Sequence, residues 1–431
     1  MRAALALVAI AVLVAPLGAC GDAKPTAAER VITPAGGSGA TAAAATATQS
    51  GKATAEGAGL RPHHEEAVTE CPAAMGDTVD DEGRVAVLLD EANRQIEHAM
   101  YAAAWTCADR AADLTPTSVE AHHLRGAALA ALGRDAEAQM AYGLALALDP
   151  DDPETLRAVA DFYINGKGER GRDALRLGLE LAQRGSRRAA ARRRRNPPLA
   201  ADLAVLEAQA LNDLGRSDEA LTRVDAALRM APGRGDALHE RGVALFDLSR
   251  FTDAKAALSK AIAVQPDDAY THQMLGLTLE QLGDQKGADA SLARALQLAG
   301  GELHSPVLIS VPEFQQEIDA IVASLSAERL ARVKLIRIEI ADLPSTEDLS
   351  AVKPPFPPTI LGLYRGPVGR PVVLPTPPGE ETPSIVLYRK NLARAVKSRR
   401  ELSEQIRDTL LHEIGHLEGL DEDDLRRRGM E

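Results

Sequence analysis

Between residues 85 and 302 small side chains recur at a spacing of 34. Ala92, Gly126, Ala208, Gly242 and Gly276 share one phase, and Ala104, Ala138, Ala220, Ala254 and Ala288 share a second. A third row holds Ala111, Ala145, Ala227, Ala261 and Ala295, and Pro116 aligns with Pro150, Pro232 with Pro266 and Gly300. Helices approach closely only where both present small residues, and a proline after the second helix of a pair stops it. The pattern predicts six helix pairs, beginning near Val85, Val119, Pro153, Ala201, Gly235 and Ala269. The third is irregular: Ala174 stands two places late and a basic insertion follows.

The texture changes after Gly300-Gly301. Pro312 to Leu325 has the spacing of an amphipathic helix, and Val333 to Ile340, Thr359 to Tyr364 and Ser384 to Tyr388 read as short strands between proline-rich loops. A last helix is expected from about Glu401. Few apolar positions bridge the two regions, which are expected to be separable.

At the front, Met1-Arg2 precedes an apolar run from Ala3 to Val14, too short to span a bilayer and suited to a secretory leader. From Gly21 to about Thr69 no period is sustained, so a tether reaching about 40 Å is expected. The expected organisation is a leader over 1–20, a linker over 21–70, repeats over 71–302 and a chemical domain over 303–431.

Composition agrees with a mainly α protein: 45% of residues are hydrophobic but only 3% aromatic, so Ala and Leu must close the core. A formal charge of -13 argues against nucleic acid as a partner. The local exception is seven arginines within Arg184 to Arg195, read as a solvated connector, with an anionic partner as the functional alternative. The pairs His63-His64 and His122-His123 are sequence neighbours, which point about 100° apart on a helix and cannot chelate together. Solvated histidines are expected there.

The strongest chemical signal is His412-Glu413-Ile414-Gly415-His416. Histidines at i and i+4 lie one turn apart on one face, so both imidazoles reach one zinc ion, with Glu413 beside them as proton acceptor. Gly419 can take the positive φ that ends the helix and turns Asp421-Glu422-Asp423-Asp424 back towards the histidines. Counting selects Glu422 as third ligand, with the neighbouring aspartates as alternatives.

Three resemblances follow. Gly242-Val243-Ala244-Leu245 with Ala254 to Ala261 and Pro266 resembles the tetratricopeptide repeat, whose arrays form a superhelix with a groove for partner segments. Leu17-Gly18-Ala19-Cys20 resembles the lipobox of bacterial lipoproteins, which implies a lipid on Cys20 and a membrane-anchored, periplasmic location in the cell envelope, the outer membrane favoured by Gly21. In that oxidising compartment the remaining Cys71 and Cys107 are expected to form a disulfide. Finally, Ile360 to Gly366, Ile385 to Leu392 and Ile406 to His416 with Gly419-Leu420 resemble the small zincin-like metallopeptidases. That resemblance implies a small α+β domain, Zn2+ as cofactor, His412, His416 and a carboxylate as ligands, Glu413 as catalytic acid/base, and a protein or peptide substrate. The family usually has Asp as third ligand and an aromatic where Glu418 stands. Tyr364 and Tyr388 are read as core residues, with oxyanion donation as the other role. The expected function is a tethered metallopeptidase whose repeats gather substrate or partner; the alternative is an assembly lipoprotein with an inactive zincin domain.

Overall fold

The computed structural model describes residues 7–10, 70–71, 80–166, 171–191, 196–369, 372–376 and 382–429. Cys20, the expected tether up to Thr69, His63-His64 and Arg192 to Arg195 lie outside them.

Six consecutive helix pairs are found: α1 (Asp81–Glu97) with α2 (Tyr101–Leu114), α3 (Val119–Ala131) with α4 (Asp135–Leu148), α5 (Pro153–Asn165) with α6 (Arg172–Ala191), α7 (Pro197–Asp213) with α8 (Ser217–Met230), α9 (Gly235–Asp247) with α10 (Phe251–Val264), and α11 (Ala269–Gln281) with α12 (Gln285–Leu298). Small residues sit at the crossings, as expected. A Cβ on Gly242 would come within 2.4 Å of Leu258, and one on Gly126 within 2.6 Å of Tyr142. Every alanine of the three rows that lies in α2, α4, α8, α10 or α12 is buried. Cys71 and Cys107 are joined by a disulfide, Cα atoms 4.9 Å apart, which ties the segment before α1 to α2.

The adjacent histidines are not solvated. His122 is 6% exposed, its Nε2 2.8 Å from the Pro116 carbonyl, and His123 meets Thr155 through Nδ1. Burial, with the Arg157 charge, lowers the His123 imidazole to about 4. The sequence reading expected solvated rings; packing between successive helix pairs instead buries His122 and half-buries His123. Arg184 and Arg188 both engage Asp151, at 2.9 and 2.7 Å.

The C-terminal unit opens with α13 (Val311–Ala323), begun by a Ser310–Glu313 capping box, and α14 (Ala327–Val333), capped by Ser326. The strand expected from Val333 therefore starts later: β2 is Arg337–Ala341. Short helices α15 (Thr346–Leu349) and α16 (Arg389–Arg394) flank β3 (Gly362–Arg365) and β4 (Ser384–Tyr388). β4 is parallel to β2 and antiparallel to β3, and Leu7–Ile10 (β1) adds antiparallel to the other edge of β3. The long helix α17 (Arg399–Leu417) covers one sheet face, and α18 (Glu422–Arg427) follows it. Among the described residues no helix is long and apolar enough to cross a membrane.

More apolar positions bridge the two regions than the sequence reading expected. β4 is buried along all five residues, and its side chains alternate between two cores. Ile385 and Leu387 pack with Ile406, Leu410 and Ile414 of α17, while Val386 and Tyr388 pack with Leu245, Phe246 and Phe251 of the fifth helix pair. Glu280, nearly buried at the end of α11, holds Lys390 at 3.0 Å and Arg394 at 2.5 Å. The repeats therefore form the second wall of the sheet.

Candidate metal centre

Helix α17 starts at a Ser398 cap and buries Leu402, Ile406, Leu410, Ile414 and Leu417 along one stripe. That anchoring turns His412, Glu413 and His416 inward, at 3%, 0% and 0% exposure. His416 Nδ1 stands 2.9 Å from the Leu420 carbonyl, to which it donates, and this sets its tautomer. Its Nε2 faces His412 Nε2 at 3.1 Å.

Gly419, at φ 91°, ends the helix as its spacing predicts. The turn delivers α18, whose Asp421 and Asp424 cap each other's backbone, Asp424 N donating to Asp421 Oδ1 at 2.8 Å. Asp423 pairs with Arg426, and Asp424 also pairs with Arg427. The aspartates are thus engaged in the turn, and Glu422 points at the histidines: its Oε1 is 3.5 Å from His416 Nε2 and its Oε2 3.7 Å from His412 Nε2. Burial pushes the Glu422 carboxyl up, but hydrogen bonds and charge from the two imidazoles outweigh this and hold it at about 2.

His412, His416 and Glu422 form a metal-competent group, their donor atoms all within 4.8 Å of one another. Donors around a tetrahedral zinc ion at about 2.0–2.1 Å stand roughly 3.3 Å apart. The two imidazole nitrogens, 3.1 Å apart, match that spacing, and each faces a different oxygen of Glu422, at 3.5 and 3.7 Å, so the carboxylate lies across both.

Two glycines make this geometry possible. A Cβ on Gly415 would lie 2.4 Å from Leu425 Cδ2, so the bare position lets α18 close on α17. A Cβ on Gly362 would lie 2.7 Å from Thr409 and 3.0 Å from Glu413 Oε1, so the backbone of β3 passes directly over the Glu413 carboxylate. Tyr364 on the same strand is fully buried and stacks on His416 with ring centroids 6.3 Å apart. Its hydroxyl has no hydrogen-bond partner among the described residues, and burial pushes it up. Tyr388 is also buried, and its hydroxyl donates to Asp348, which Arg365 grips at 2.8 and 2.9 Å. Both tyrosines sit in the cores, as read.

Sequence reasoning missed what stabilises the far end of α17. Arg329 of α14 forks onto Glu418 at 2.7 and 2.9 Å, and Arg332 donates to the Leu417 carbonyl at 3.1 Å. The acid in place of the family's aromatic thus has an arginine partner 89 residues away. No local pattern reveals such a pair; Gly415 and Gly362, inside a helix and a strand, were signals of close approach.

An array of tetratricopeptide repeats carrying a zincin-like metallopeptidase domain is the class that this fold and this His-Glu-His group define. Residues 333–430 match the family model of the zincin-like metallopeptidase, and residues 119–152 and 239–302 match tetratricopeptide repeat models. The Hsp70-Hsp90 organizing protein of Triticum aestivum is 32% identical over 98 residues, 23% of this chain and 17% of that protein. This chain thus spans less than a fifth of that relative. Among solved structures, one titled for the functional characterization of Pseudomonas aeruginosa pilF superposes with a TM-score of 0.44 at 13% identity, covering 56% of this chain and 98% of that one. PilW, titled a widely conserved type IV pilus biogenesis factor, superposes with a TM-score of 0.42 at 16% identity, covering 50% and 93%.

Proposed function

We propose that this protein is a zinc-dependent metallopeptidase of the bacterial cell envelope, anchored by a lipid on Cys20, whose repeats hold a substrate or partner protein. The observation that carries the peptidase reading is the convergence of His412, His416 and Glu422 beside a buried Glu413 at the edge-proximal strand β3. Zinc bound by the three would act as a Lewis acid on a peptide carbonyl and lower the pKa of an attacking water. Glu413, not a member of the ligand group, would be the residue that accepts a proton from the attacking water and returns it to the leaving amine. His416 is held in one tautomer by Leu420, and Arg329 and Arg332 fix the helix end, so the site needs little reorganisation.

Substrate binds by strand addition on β3. The antiparallel pairing of Leu7–Ile10 with Gly362–Arg365 supports this, because that edge accepts an extended chain beside Glu413. Removal of the leader at Cys20, expected from its lipobox, leaves this edge to substrate.

Glu413→Gln tests the reading. The variant keeps its fold and its zinc but loses most turnover of a generic protein substrate. Cleavage at the parent's rate would refute the peptidase mechanism and favour the assembly role.

A further inference from the structure

Strand β3 lays Gly362 over Glu413, and the chain reaches that strand through Pro354-Pro355-Phe356-Pro357-Pro358. Phe356 donates its N–H to the Leu349 carbonyl at 3.0 Å, and the four prolines have none to give. The approach to the strand must therefore be fixed through its carbonyls. Asn391 does this: its Nδ2 donates to the Pro358 and Ile360 carbonyls, both at 2.8 Å. Both hydrogens of the amide are spent on acceptors two residues apart, which sets the path of Thr359 between them. The Tyr388 N–H takes the next carbonyl, Leu361, at 2.8 Å, and Gly362 follows directly. Asn391 is 7% exposed and Ile360 is fully buried, so without this donor the carbonyls would be left unpaired.

Asn391 is itself anchored from both sides of the sheet. It lies on α16, where Arg389 donates to the Ile309 carbonyl at 2.8 Å and to Asp342 at 2.9 Å, while Lys390 and Arg394 converge on Glu280 of α11. Contacts thus run unbroken from the last repeat through α16 and Asn391 to Gly362 and Glu413. His412, His416 and Glu422 stand outside this line, on α17 and α18. The far end of β3 has its own hold, Arg365 on Asp348 and Glu339, which keeps Tyr364 against His416. Loosening the start of β3 therefore changes what Glu413 rests against while leaving the three metal-competent side chains in place.

We propose that Asn391 is a positioning residue: its amide seats the start of β3 where the strand holds the Glu413 carboxylate ready to accept a proton, and Glu280 makes the repeats part of that seat. This deepens the hydrolysis proposed above and rests on that reading for the role of Glu413. Only a side chain with two donors on one nitrogen serves both carbonyls from this place. A leucine has none, and an aspartate has one when protonated and none when ionised.

The test uses the full chain loaded with zinc, with dye-labelled casein as substrate, and the variants Asn391→Leu and Asn391→Asp. Near neutral pH both lose about 10- to 100-fold in kcat, the scale for reacting groups displaced by up to about 1 Å. Zinc affinity from chelator competition stays within about twofold of the parent, because no ligand moves. The ratio of Asn391→Asp to parent turnover rises as pH falls from about 8 to about 5, and that of Asn391→Leu stays flat, a contrast that a merely structural loss would not give. Hydrogen exchange over 359–363 speeds up in Asn391→Leu while 406–414 keeps the parent's protection. If circular dichroism shows neither variant folded, Glu280→Gln carries the test: it loosens α16 from the repeats and must lower turnover with zinc retained. Parent-like turnover in Asn391→Leu, zinc lost in step with turnover, or matching pH profiles of the two variants overturns the proposal, as does unchanged exchange over 359–363. A parent that binds zinc and cleaves nothing overturns the peptidase reading, and the exchange measurement then decides alone whether Asn391 seats the strand.

Discussion

Gly415→Ala should separate Glu422 from the histidine pair without touching any of the three side chains. The new methyl would lie 2.4 Å from Leu425 Cδ2, where carbon atoms ordinarily rest about 3.5–4.0 Å apart. Leu425 must therefore retreat by roughly 1.1–1.6 Å. Leu425 and Glu422 belong to the same helix, Glu422–Arg427, so the retreat carries the carboxylate away from imidazoles that it now meets at 3.5 and 3.7 Å. Metal–ligand distances tolerate only about 0.2 Å. Zinc affinity should fall about 10- to 100-fold, the range for disturbed support of a metal site. Stability should change little: overpacking costs about 1–3 kcal/mol, and replacing a mid-helix glycine returns about 1 kcal/mol. Competition with a chromophoric chelator measures the first effect and thermal unfolding the second. Adding Leu425→Ala removes the clash and should recover most of the affinity. Parent-like zinc binding by Gly415→Ala, or no recovery in the double variant, would refute the argument that α18 delivers the ligand.

Glu422→Ala should weaken zinc far more than Asp423→Ala, whose carboxylate pairs with Arg426, while Asp421→Ala loses a cap worth about 1 kcal/mol and shows mainly as a lower melting temperature; the reverse order in chelator competition would move the ligand. Residues 80–302 expressed alone uncover Leu245, Phe246 and Phe251, so this fragment should melt below the full chain and bind a hydrophobic dye. Equal melting temperatures and no dye binding would mean that the shared core contributes nothing. Asp213 and Asp247, raised to about 7 in the fold, bind protons more tightly folded than unfolded, so their contribution is complete below the ordinary carboxylate range and is lost as pH rises through about 7. Asp213→Asn should flatten the decline of melting temperature between pH 5 and 8, and an unchanged slope would contradict that burial.

The repeats were legible because their signal is local: each helix pair repeats the same small-residue crossings at one spacing, and the six predicted starts fall on or within four residues of the helix starts. The His412, His416 and Glu422 group was legible for the same reason, since two histidines one turn apart and a glycine three residues on need only helix geometry. Glu422 could be counted to, but what frees it is the mutual capping of Asp421 and Asp424, which a spacing does not encode. Non-local partners stayed hidden: Arg329 for Glu418, Glu280 for Lys390 and Arg394, and the phenylalanines of the fifth pair for Val386 and Tyr388. One clue was present. Ser384 to Tyr388 shows no polar alternation, the mark of a strand covered on both faces, and α17 could cover only one. Val333 was misread because a β-branched residue closes a helix that Ser326 begins.

A sheet one strand thick divides the His-Glu-His group from the repeats: Gly362 rests on Glu413, while its neighbour Leu363 rests among the side chains of the fifth pair. Grafting residues 303–429 onto an unrelated carrier would leave an apolar surface bare and a strand without backing directly behind the Glu413 carboxylate. Such a chimera should lose the geometry around Glu413, because the shared core couples the two segments. Paired substitutions between the Leu245–Phe251 stretch and the Ile360–Tyr388 stretch are the imprint that this shared partition should leave among descendants.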